Sequence, residues 1–325
     1  MPKRELEKAI EIAGEYSTLE ELGRAVNEEL GLTWSSGTWR GVWKRCPRER
    51  EIIRKAQRES VRSGSAHTIT VIGDCRGAML SDIHVPFHDY LSILLACAVL
   101  RWWKPDVCIL GGDILDFYQL SSYDKNPERG FGIQDEIDTF HTDVLAPLSG
   151  VLSSRVRKIY FPGNHEDRLR KYMWRNPDLF DVRSLQLSSL LELDRYGWEY
   201  VESRVRFGNL LEVSHGVRVG KWSGAAARAE AEQRRYSITT ITGHVHKAGH
   251  FGTNVPDPHG RRYISGYSNP CLCSLAPEYM TDPDWVNGIT LFEIKNNKLD
   301  VHQVIFHPDH TCSVGGRWFR VESNA

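Results

Sequence analysis

The sequence predicts an α/β domain with mixed sheets, preceded by a small helical unit. After residue 63, short apolar segments of strand length alternate with helical patterns. From residue 288 to residue 321 the pattern is instead that of antiparallel strands, which turn at Asn296-Asn297 and at Gly315-Gly316. Alternating strands and helices followed by antiparallel strands are typical of an α/β domain whose sheets are mixed.

The helical unit is predicted to cover residues 1–62. Its first helical pattern spans residues 4–16, the second follows a capping Ser17 or Thr18 and stops at Gly31, and the third begins near Ser35. Ser63-Gly64-Ser65 is predicted to be the linker between this unit and the rest of the chain. We therefore expect a second domain over residues 63–325.

Basic side chains dominate residues 40–58 at the end of this unit. A three-helix unit with a basic last helix resembles a helix-turn-helix module, which makes the segment a candidate contact for DNA or RNA. A helical appendage with a solvated basic face has the same pattern. Helical spacing and charge do not separate the two interpretations.

In the second domain, helices are predicted over residues 90–103 and over residues 136–152, the latter interrupted at Pro147. The predicted strands are short and mostly apolar, and they cover residues 68–72, 77–80, 107–110, 158–161, 210–213 and 238–241.

Composition narrows the functional classes. The 325 residues carry a net charge of -1, so no overall field attracts nucleic acid or anionic lipid. The longest apolar stretch, residues 91–100, is too short to span a bilayer, and the N-terminus does not resemble a signal peptide. We expect a cytoplasmic protein without a membrane partner. The seven cysteines are expected to be reduced core thiols, since the Cys271-x-Cys273 pair has no second pair at metal-ligand spacing.

Residues that can bind metals follow five of the apolar strands. Strand carboxyl ends line one rim of an α/β sheet, so these residues are expected to meet. Residues two apart on an extended segment face the same side, and carboxylate, imidazole and amide groups suit divalent ions such as manganese, iron or zinc. The five motifs are Ser81-Asp82-Ile83-His84, Gly111-Gly112-Asp113, Gly163-Asn164-His165-Glu166-Asp167, Ser214-His215-Gly216 and Gly243-His244-Val245-His246.

The order D-x-H, G-G-D, G-N-H-E, H and G-H-x-H over about residues 76–250 resembles the calcineurin-like metallophosphoesterase superfamily, in particular bacterial and bacteriophage members near the DNA-repair exonucleases. The resemblance implies a four-layer α-β-β-α sandwich of two mixed sheets. It also implies two divalent metal ions, for which we expect manganese, with iron, zinc or nickel as alternatives. One ion would be bound by Asp82, His84, Asp113 and His246, and the other by Asp113, Asn164, His215 and His244.

Such a pair predicts phosphoester hydrolysis by in-line attack of a hydroxide held between the metals. Asp113 would bridge the ions, and His165 would act as general acid or steady the leaving group. Asp116 could orient a ligand from outside the ligand shell. Arg168 and Arg170 are candidates for binding the substrate phosphate, although an exposed helix face explains them equally well.

The substrate is expected to be a phosphodiester in a nucleic acid or nucleotide. The arginine that protein phosphatases of the family carry soon after the bridging aspartate is missing from Gly112-Asp113-Ile114-Leu115-Asp116-Phe117-Tyr118. A phosphomonoesterase acting on nucleotides, small molecules or phosphoprotein is the alternative. A DNA-binding protein without catalysis is a third class. Six tryptophans could form a base-stacking surface, a subunit contact or core: Trp39, Trp43, Trp102, Trp103, Trp174 and Trp222.

Overall fold

The computed structural model describes residues 3–11, 19–46, 68–71, 73–122, 124–126, 129–257, 260–277 and 282–322. The chain separates into two compact units, Met1–Thr68 and Ile69–Ala325. The predicted linker at residues 63–65 lies outside the described residues, as do residues 47–58 of the basic segment. Of the helices in the described ranges, none has both the length and the apolar character needed to cross a membrane.

The N-terminal unit contains the three predicted helices, α1 (Lys3–Glu11), α2 (Leu19–Leu30) and α3 (Ser36–Arg45). Ser35 caps α3 by accepting the backbone N–H of Thr38 at 3.2 Å. The proposed caps of α2, at residues 17 and 18, lie outside the described residues. The helices enclose a small apolar core made of Ala9, Leu22, Val26, Trp39, Val42, Trp43 and Cys46.

The larger unit is built on two six-stranded sheets, each mixing parallel and antiparallel pairs. Sheet 1 has the order β12-β11-β2-β3-β4-β5 and sheet 2 the order β1-β6-β7-β8-β10-β9. The strands are β1 (Thr68–Val71), β2 (Cys75–Leu80), β3 (Val107–Gly111), β4 (Arg157–Phe161), β5 (Trp198–Tyr200), β6 (Arg204–Phe207), β7 (Leu211–Ser214), β8 (Thr239–Thr242), β9 (Gly249–Asp257), β10 (Gly260–Ser268), β11 (Gly288–Lys295) and β12 (Lys298–Ile305).

Two hairpins near the C-terminus turn where the sequence predicts. Asn296 and Asn297, between β11 and β12, both have positive φ, which asparagine tolerates and which suits a two-residue hairpin turn. A separate two-stranded sheet, β13 (Thr311–Val314) and β14 (Arg317–Arg320), turns at Gly315 and Gly316.

The predicted helix over residues 90–103 is confirmed as α4 (Tyr90–Trp103). The second predicted helix is wrong in its start and in its interruption. It begins as α5 (Ile133–Thr139) and continues through a π-helical segment (Phe140–Leu145) into α6 (Ala146–Val151). Pro147 lacks an N–H and crowds the carbonyl four residues earlier, so the helix widens ahead of it instead of breaking. The other α-helices of the described residues are α7 (Asp167–Arg175), α8 (Leu187–Leu190) and α9 (Ser223–Gln233).

The layers follow from the alternation of side chains along the strands. Met79 and Ile109 belong to the core between the two sheets. Their neighbours Leu80 and Leu110 belong to a second core, which sheet 1 shares with α4, α5 and α6. On the other side, α9 packs on β10 and β9 of sheet 2. Two mixed sheets thus lie between helices, which confirms the predicted α/β sandwich.

Candidate metal centre

The five motifs meet at one place. β2, β3 and β4 are parallel neighbours in sheet 1, and β7 and β8 are parallel neighbours in sheet 2. Their carboxyl ends therefore lie on a common rim of each sheet. The loops that follow bring together two groups of side chains, each close enough to bind one cation.

The first group consists of Asp82, His84 and His246, whose ligand atoms lie within 4.8 Å of one another. The Nε2 atoms of the two histidines are 3.0 Å apart, and His246 Nε2 is 3.3 Å from Asp82 Oδ1. All three side chains are buried. Two imidazole nitrogens and a carboxylate oxygen thus face a common centre.

The second group consists of Asp113, His215 and His244. His215 donates its Nδ1–H to the carbonyl of Gly111 at 3.0 Å, which directs Nε2 inward. That Nε2 lies 3.2 Å from Asp113 Oδ2 and 3.2 Å from Asn164 Oδ1. The amide oxygen of Asn164 therefore joins this group.

Asp113 lies between the two groups. Its Oδ2 is 3.2 Å from His215 Nε2 in the second group and 3.9 Å from His84 Nε2 in the first. Its Oδ1 accepts the backbone N–H of His165 at 2.8 Å, which fixes the carboxylate. Asp113 is thus placed where one side chain can serve both groups.

The residues fit divalent cations in three respects. The donor set of carboxylates, imidazoles and an amide oxygen suits first-row divalent ions. His244 Nδ1 is buried and has no hydrogen-bond partner among the described residues, and a buried polar atom of this kind needs a partner. The two groups also adjoin at Asp113, a member of the second group whose Oδ2 lies 3.9 Å from His84 Nε2 of the first.

The charges of the cluster separate the pKa values of its histidines. Burial opposes charge on His215, yet the neighbouring Asp113 carboxylate raises the pKa of this imidazole to about 10. Burial, together with the nearby His165, lowers the pKa of His84 to about 4. Titratable groups perturbed in opposite directions within one cluster are typical of functional sites.

The backbone of the cluster is unusual. Five of the predicted ligands adopt left-handed conformations, with φ between 51° and 75°. For residues other than glycine such conformations cost of order 1–3 kcal/mol each and persist only where the surrounding structure imposes them. They concentrate at Asp82, His84, Asp113, His244 and His246.

The glycines of the motifs allow close approach, as predicted. A Cβ atom on Gly163 would overlap the Asp113 carboxylate, and one on Gly243 would lie 2.5 Å from Asp82 Oδ2. Gly112 has a φ of 82° and leaves no room beside Gly163 and His215. Side chains at these positions would push the carboxylates out of place.

His165 lies beside the two groups and belongs to a polar triad. Its Nδ1 is 3.0 Å from Asp116 Oδ1, while its Nε2 is 3.3 Å from a guanidinium nitrogen of Arg168. Arg168 also donates to the Asp116 carbonyl at 2.7 Å. Burial works against a charged His165, but Asp116 and Asp113 together raise its pKa. Asp116 also contacts His84 Nδ1 at 3.2 Å, so it orients two imidazoles.

The structure does not bring Arg170 into this cluster. Its guanidinium pairs with Asp167 at 2.7 Å and lies over the ring of Trp174. Both contacts are made within α7, one turn or less away. Arg168 therefore lies at the cluster and Arg170 does not, although both were predicted to bind the substrate phosphate.

Sequence reasoning missed the role of Glu166. This buried carboxylate accepts N–H groups from Asp113, Ile114, Leu115 and Gly163 at 2.7–3.1 Å and the Tyr160 hydroxyl at 3.0 Å. It therefore ties the loop after β3 to the loop after β4. The motif signals its presence, but only the folded chain shows which donors it collects.

Sequence reasoning also gave no sign that the cysteine pair Cys271 and Cys273 lies beside His246. All seven cysteines are free and buried, as predicted. Cys271 and Cys273, however, lie close to His246, and Cys273 Sγ is 3.9 Å from its Nδ1. The sulfur thus contacts the outer nitrogen of a candidate ligand.

The chain matches no family model. It is 26% identical over 180 residues to the gene 54 protein of Mycobacterium phage L5, covering 54% of this chain and 70% of the phage protein. Among solved structures it resembles a single mutant of Vps29 from Entamoeba histolytica, with 14% identity, a TM-score of 0.35 and coverage of 77% of this chain and 99% of that one. It also resembles a dimetal phosphatase from Danio rerio, with 14% identity, a TM-score of 0.35 and coverage of 70% and 95%.

Proposed function

We propose that this protein is a metal-dependent phosphoesterase of the calcineurin-like type that hydrolyses phosphodiesters in nucleic acids or nucleotides. The observation that carries the proposal is the pair of adjoining ligand groups that meet at Asp113. Asp82, His84, Asp113 and His246 would hold one divalent cation, and Asp113, Asn164, His215 and His244 the other. When bound, such a pair neutralises phosphate oxygens and makes a hydroxide nucleophile available near neutral pH.

The chain's own residues supply the proton. The Asp116 carboxylate lies 3.0 Å from His165 Nδ1, which favours a proton on that nitrogen and leaves Nε2 directed away from Asp116. The raised pKa favours the protonated form of His165, which can donate from Nε2 to the leaving oxygen once the Arg168 N–H turns from Nε2 to that oxygen. Arg168, 3.3 Å from the same Nε2, supports negative charge at that position.

The arginine side chains near the cluster favour a diester over a monoester as substrate. Arg168 is the arginine that lies at His165, and it shares its charge with Asp116 at 3.3 Å. Arg170 pairs with Asp167. A phosphodiester carries one negative charge and needs less neutralisation than a dianionic monoester. Contact with DNA or RNA through residues 40–58 stays a prediction, since much of that segment lies outside the described residues.

The test is manganese-dependent hydrolysis of bis-(p-nitrophenyl) phosphate compared with p-nitrophenyl phosphate. We expect the diester to have the higher kcat/KM and a chelator to abolish both activities. His165→Ala should lower kcat by about 10²- to 10⁴-fold, most with a poor leaving group such as an alkyl alcohol. His302→Ala, a surface variant whose imidazole pairs with Asp300, should have no effect.

Faster cleavage of the monoester would replace this proposal with a phosphomonoesterase. Hydrolysis that is indifferent to chelation, or equal in His165→Ala and His302→Ala, would contradict the roles assigned to the cluster.

A further inference from the structure

A short loop beside the candidate metal centre carries exposed apolar side chains. It comprises Gly216–Trp222 and directly follows His215. Val217, Val219 and Trp222 are 68%, 74% and 70% exposed, which puts them among the four most exposed large apolar side chains of the described residues. Single apolar residues on a surface are ordinary, but three in one short loop make that loop a candidate contact for a partner.

Both ends of the loop are fixed next to the two ligand groups. At its start, the backbone N–H groups of Val217 and Arg218 each donate to Glu230 Oε1 at 2.8 Å, and Glu230 is buried. At its end, the carbonyl of Lys221 accepts Lys247 Nζ at 3.4 Å. Lys247 directly follows His246 of the first group. The loop therefore extends from a residue of one group to a neighbour of the other.

The loop also carries positive charge. Arg218 and Lys221 are exposed, and within the part of the chain that the structure describes neither forms an ion pair with an acidic side chain. Lys221 Nζ lies 5.5 Å from the centre of the Trp222 ring. An exposed indole next to the Lys221 ammonium, with Arg218 in the same loop, provides a flat apolar face together with groups that attract phosphate.

We propose that the loop Gly216–Trp222 binds single-stranded nucleic acid on either side of the phosphate to be cleaved. Trp222 would stack on an unpaired base, and Arg218 and Lys221 would contact neighbouring phosphates. This proposal rests on the proposed function and names its substrate class. In a duplex both faces of an internal base are covered by its neighbours, so an exposed indole can stack only on an unpaired or terminal base.

The position of the loop favours this occupant over others. A surface joined at both ends to the candidate centre is available to the molecule on which the centre acts. A lipid surface or a second copy of the chain could cover the three apolar side chains, but neither requires this proximity. These occupants are therefore distinguished by experiment.

The experiment compares Trp222→Ala, Trp222→Phe and Trp318→Ala in the full chain. Trp318, on β14, is 68% exposed and is thus a matched control. Affinity for a short labelled oligothymidylate and for a blunt duplex is measured by fluorescence anisotropy, with Ca²⁺ replacing Mn²⁺ to prevent turnover. Trp222→Ala should weaken oligothymidylate binding about tenfold or more, since one stacked base contributes about 5- to 150-fold. Trp222→Phe should retain most of the affinity.

Two further readings sharpen the test. Hydrolysis of bis-(p-nitrophenyl) phosphate should change much less than oligothymidylate binding in all three variants, because this small diester carries no nucleobase. The plot of log affinity against log salt concentration has a negative slope. Replacing both Arg218 and Lys221 by glutamine should make that slope less negative by about 0.7 for each lost phosphate contact.

Oligothymidylate affinity that is unchanged in Trp222→Ala, or reduced equally in Trp318→Ala, would overturn the proposal. So would an equal loss for duplex and single strand. If Trp222→Ala instead loses binding to phosphatidylglycerol vesicles or loses self-association, while oligothymidylate binding is retained, the loop has a different occupant. A wild-type protein without metal-dependent diester hydrolysis would refute the proposed function, and the binding series would still decide what the loop binds.

Discussion

The two sheets contribute different chemistry to the cluster. The loops that follow β2, β3 and β4 of sheet 1 supply both ligand carboxylates, Asp82 and Asp113, and the amide of Asn164. The loops that follow β7 and β8 of sheet 2 supply only imidazoles, at His215, His244 and His246. The negative charge that would attract cations therefore lies on one sheet, while the other sheet offers the remaining candidate ligands.

The support behind the ligands differs in the same way. In sheet 1, Glu166 gathers five donors and fixes the loops around Asp113 and Gly163. In sheet 2, His215 Nδ1 donates to one backbone carbonyl, His246 contacts the sulfur of Cys273, and Glu230 accepts two backbone N–H groups of the loop after His215. Substitutions in sheet 1 should therefore be the more damaging, both to cation binding and to stability.

The largest effect is expected for Asp113→Ala compared with His244→Ala. Asp113 serves both groups, so its loss should remove both cations and lower kcat/KM for the diester by at least about 10³-fold, given several kcal/mol of lost charge stabilisation. His244→Ala should retain one cation. Metal content by mass spectrometry, with circular dichroism to verify the fold, measures both. Two bound cations in Asp113→Ala would contradict the bridging role.

A smaller effect, on stability, is expected for Glu166→Gln. An amide in place of the carboxylate presents N–H groups to backbone N–H groups, so at least one hydrogen bond to a charged acceptor is lost, which costs about 1.5–3 kcal/mol. Urea unfolding measures it. The control is Glu199→Gln, whose carboxylate pairs with Arg157 on the surface and should change the free energy of unfolding by less than about 1 kcal/mol. Equal effects in the two variants would rule out the supporting role of Glu166.

A further effect, on the pH dependence of stability, concerns Glu136, which supports sheet 1 indirectly. Its carboxylate accepts the N–H groups of Phe117 and Tyr118, just after Asp116. Burial raises the pKa of Glu136 to about 8 from an ordinary 4.5. The folded state therefore retains this proton where the unfolded state has lost it, and its contribution to the free energy of unfolding falls as the pH rises from 4.5 to 8.

Glu136→Gln should flatten this dependence, which amounts to at most about 1.4 kcal/mol per pH unit. Urea unfolding at several pH values measures it in both proteins. A stability difference between wild type and Glu136→Gln that stays constant across the interval would show that Glu136 is not protonated in the folded protein.

Much of the fold could be predicted because its signals are local. The helix Tyr90–Trp103 is a long apolar run that begins after Asp89 and ends before Pro105. The turn at Asn296 and Asn297 needs positive φ, which asparagine tolerates. The meeting of the five motifs was also predictable, because strand order and residue type both point to one rim.

What could not be predicted depends on contacts distant in sequence. The five donors of Glu166 come from two loops and a strand. Nothing near Glu166 in the sequence indicates that it accepts a hydrogen bond from Asp113, 53 residues earlier in the chain. The contact of Cys273 with His246 likewise joins two loops. The left-handed backbone of the ligands is imposed by the surrounding core, since their own preferences are for other conformations.

The division of the candidate ligands between two sheets has a consequence for the protein's stability. A cation bound there links loops of both sheets, and only the folded chain assembles its ligands, so mass action makes the free energy of unfolding rise with the concentration of free metal. At a hundredfold excess over the dissociation constant the gain is about 2.7 kcal/mol for one ion. Resistance to heat would then report how well the surroundings are supplied with metal, in addition to how well the chain itself is packed.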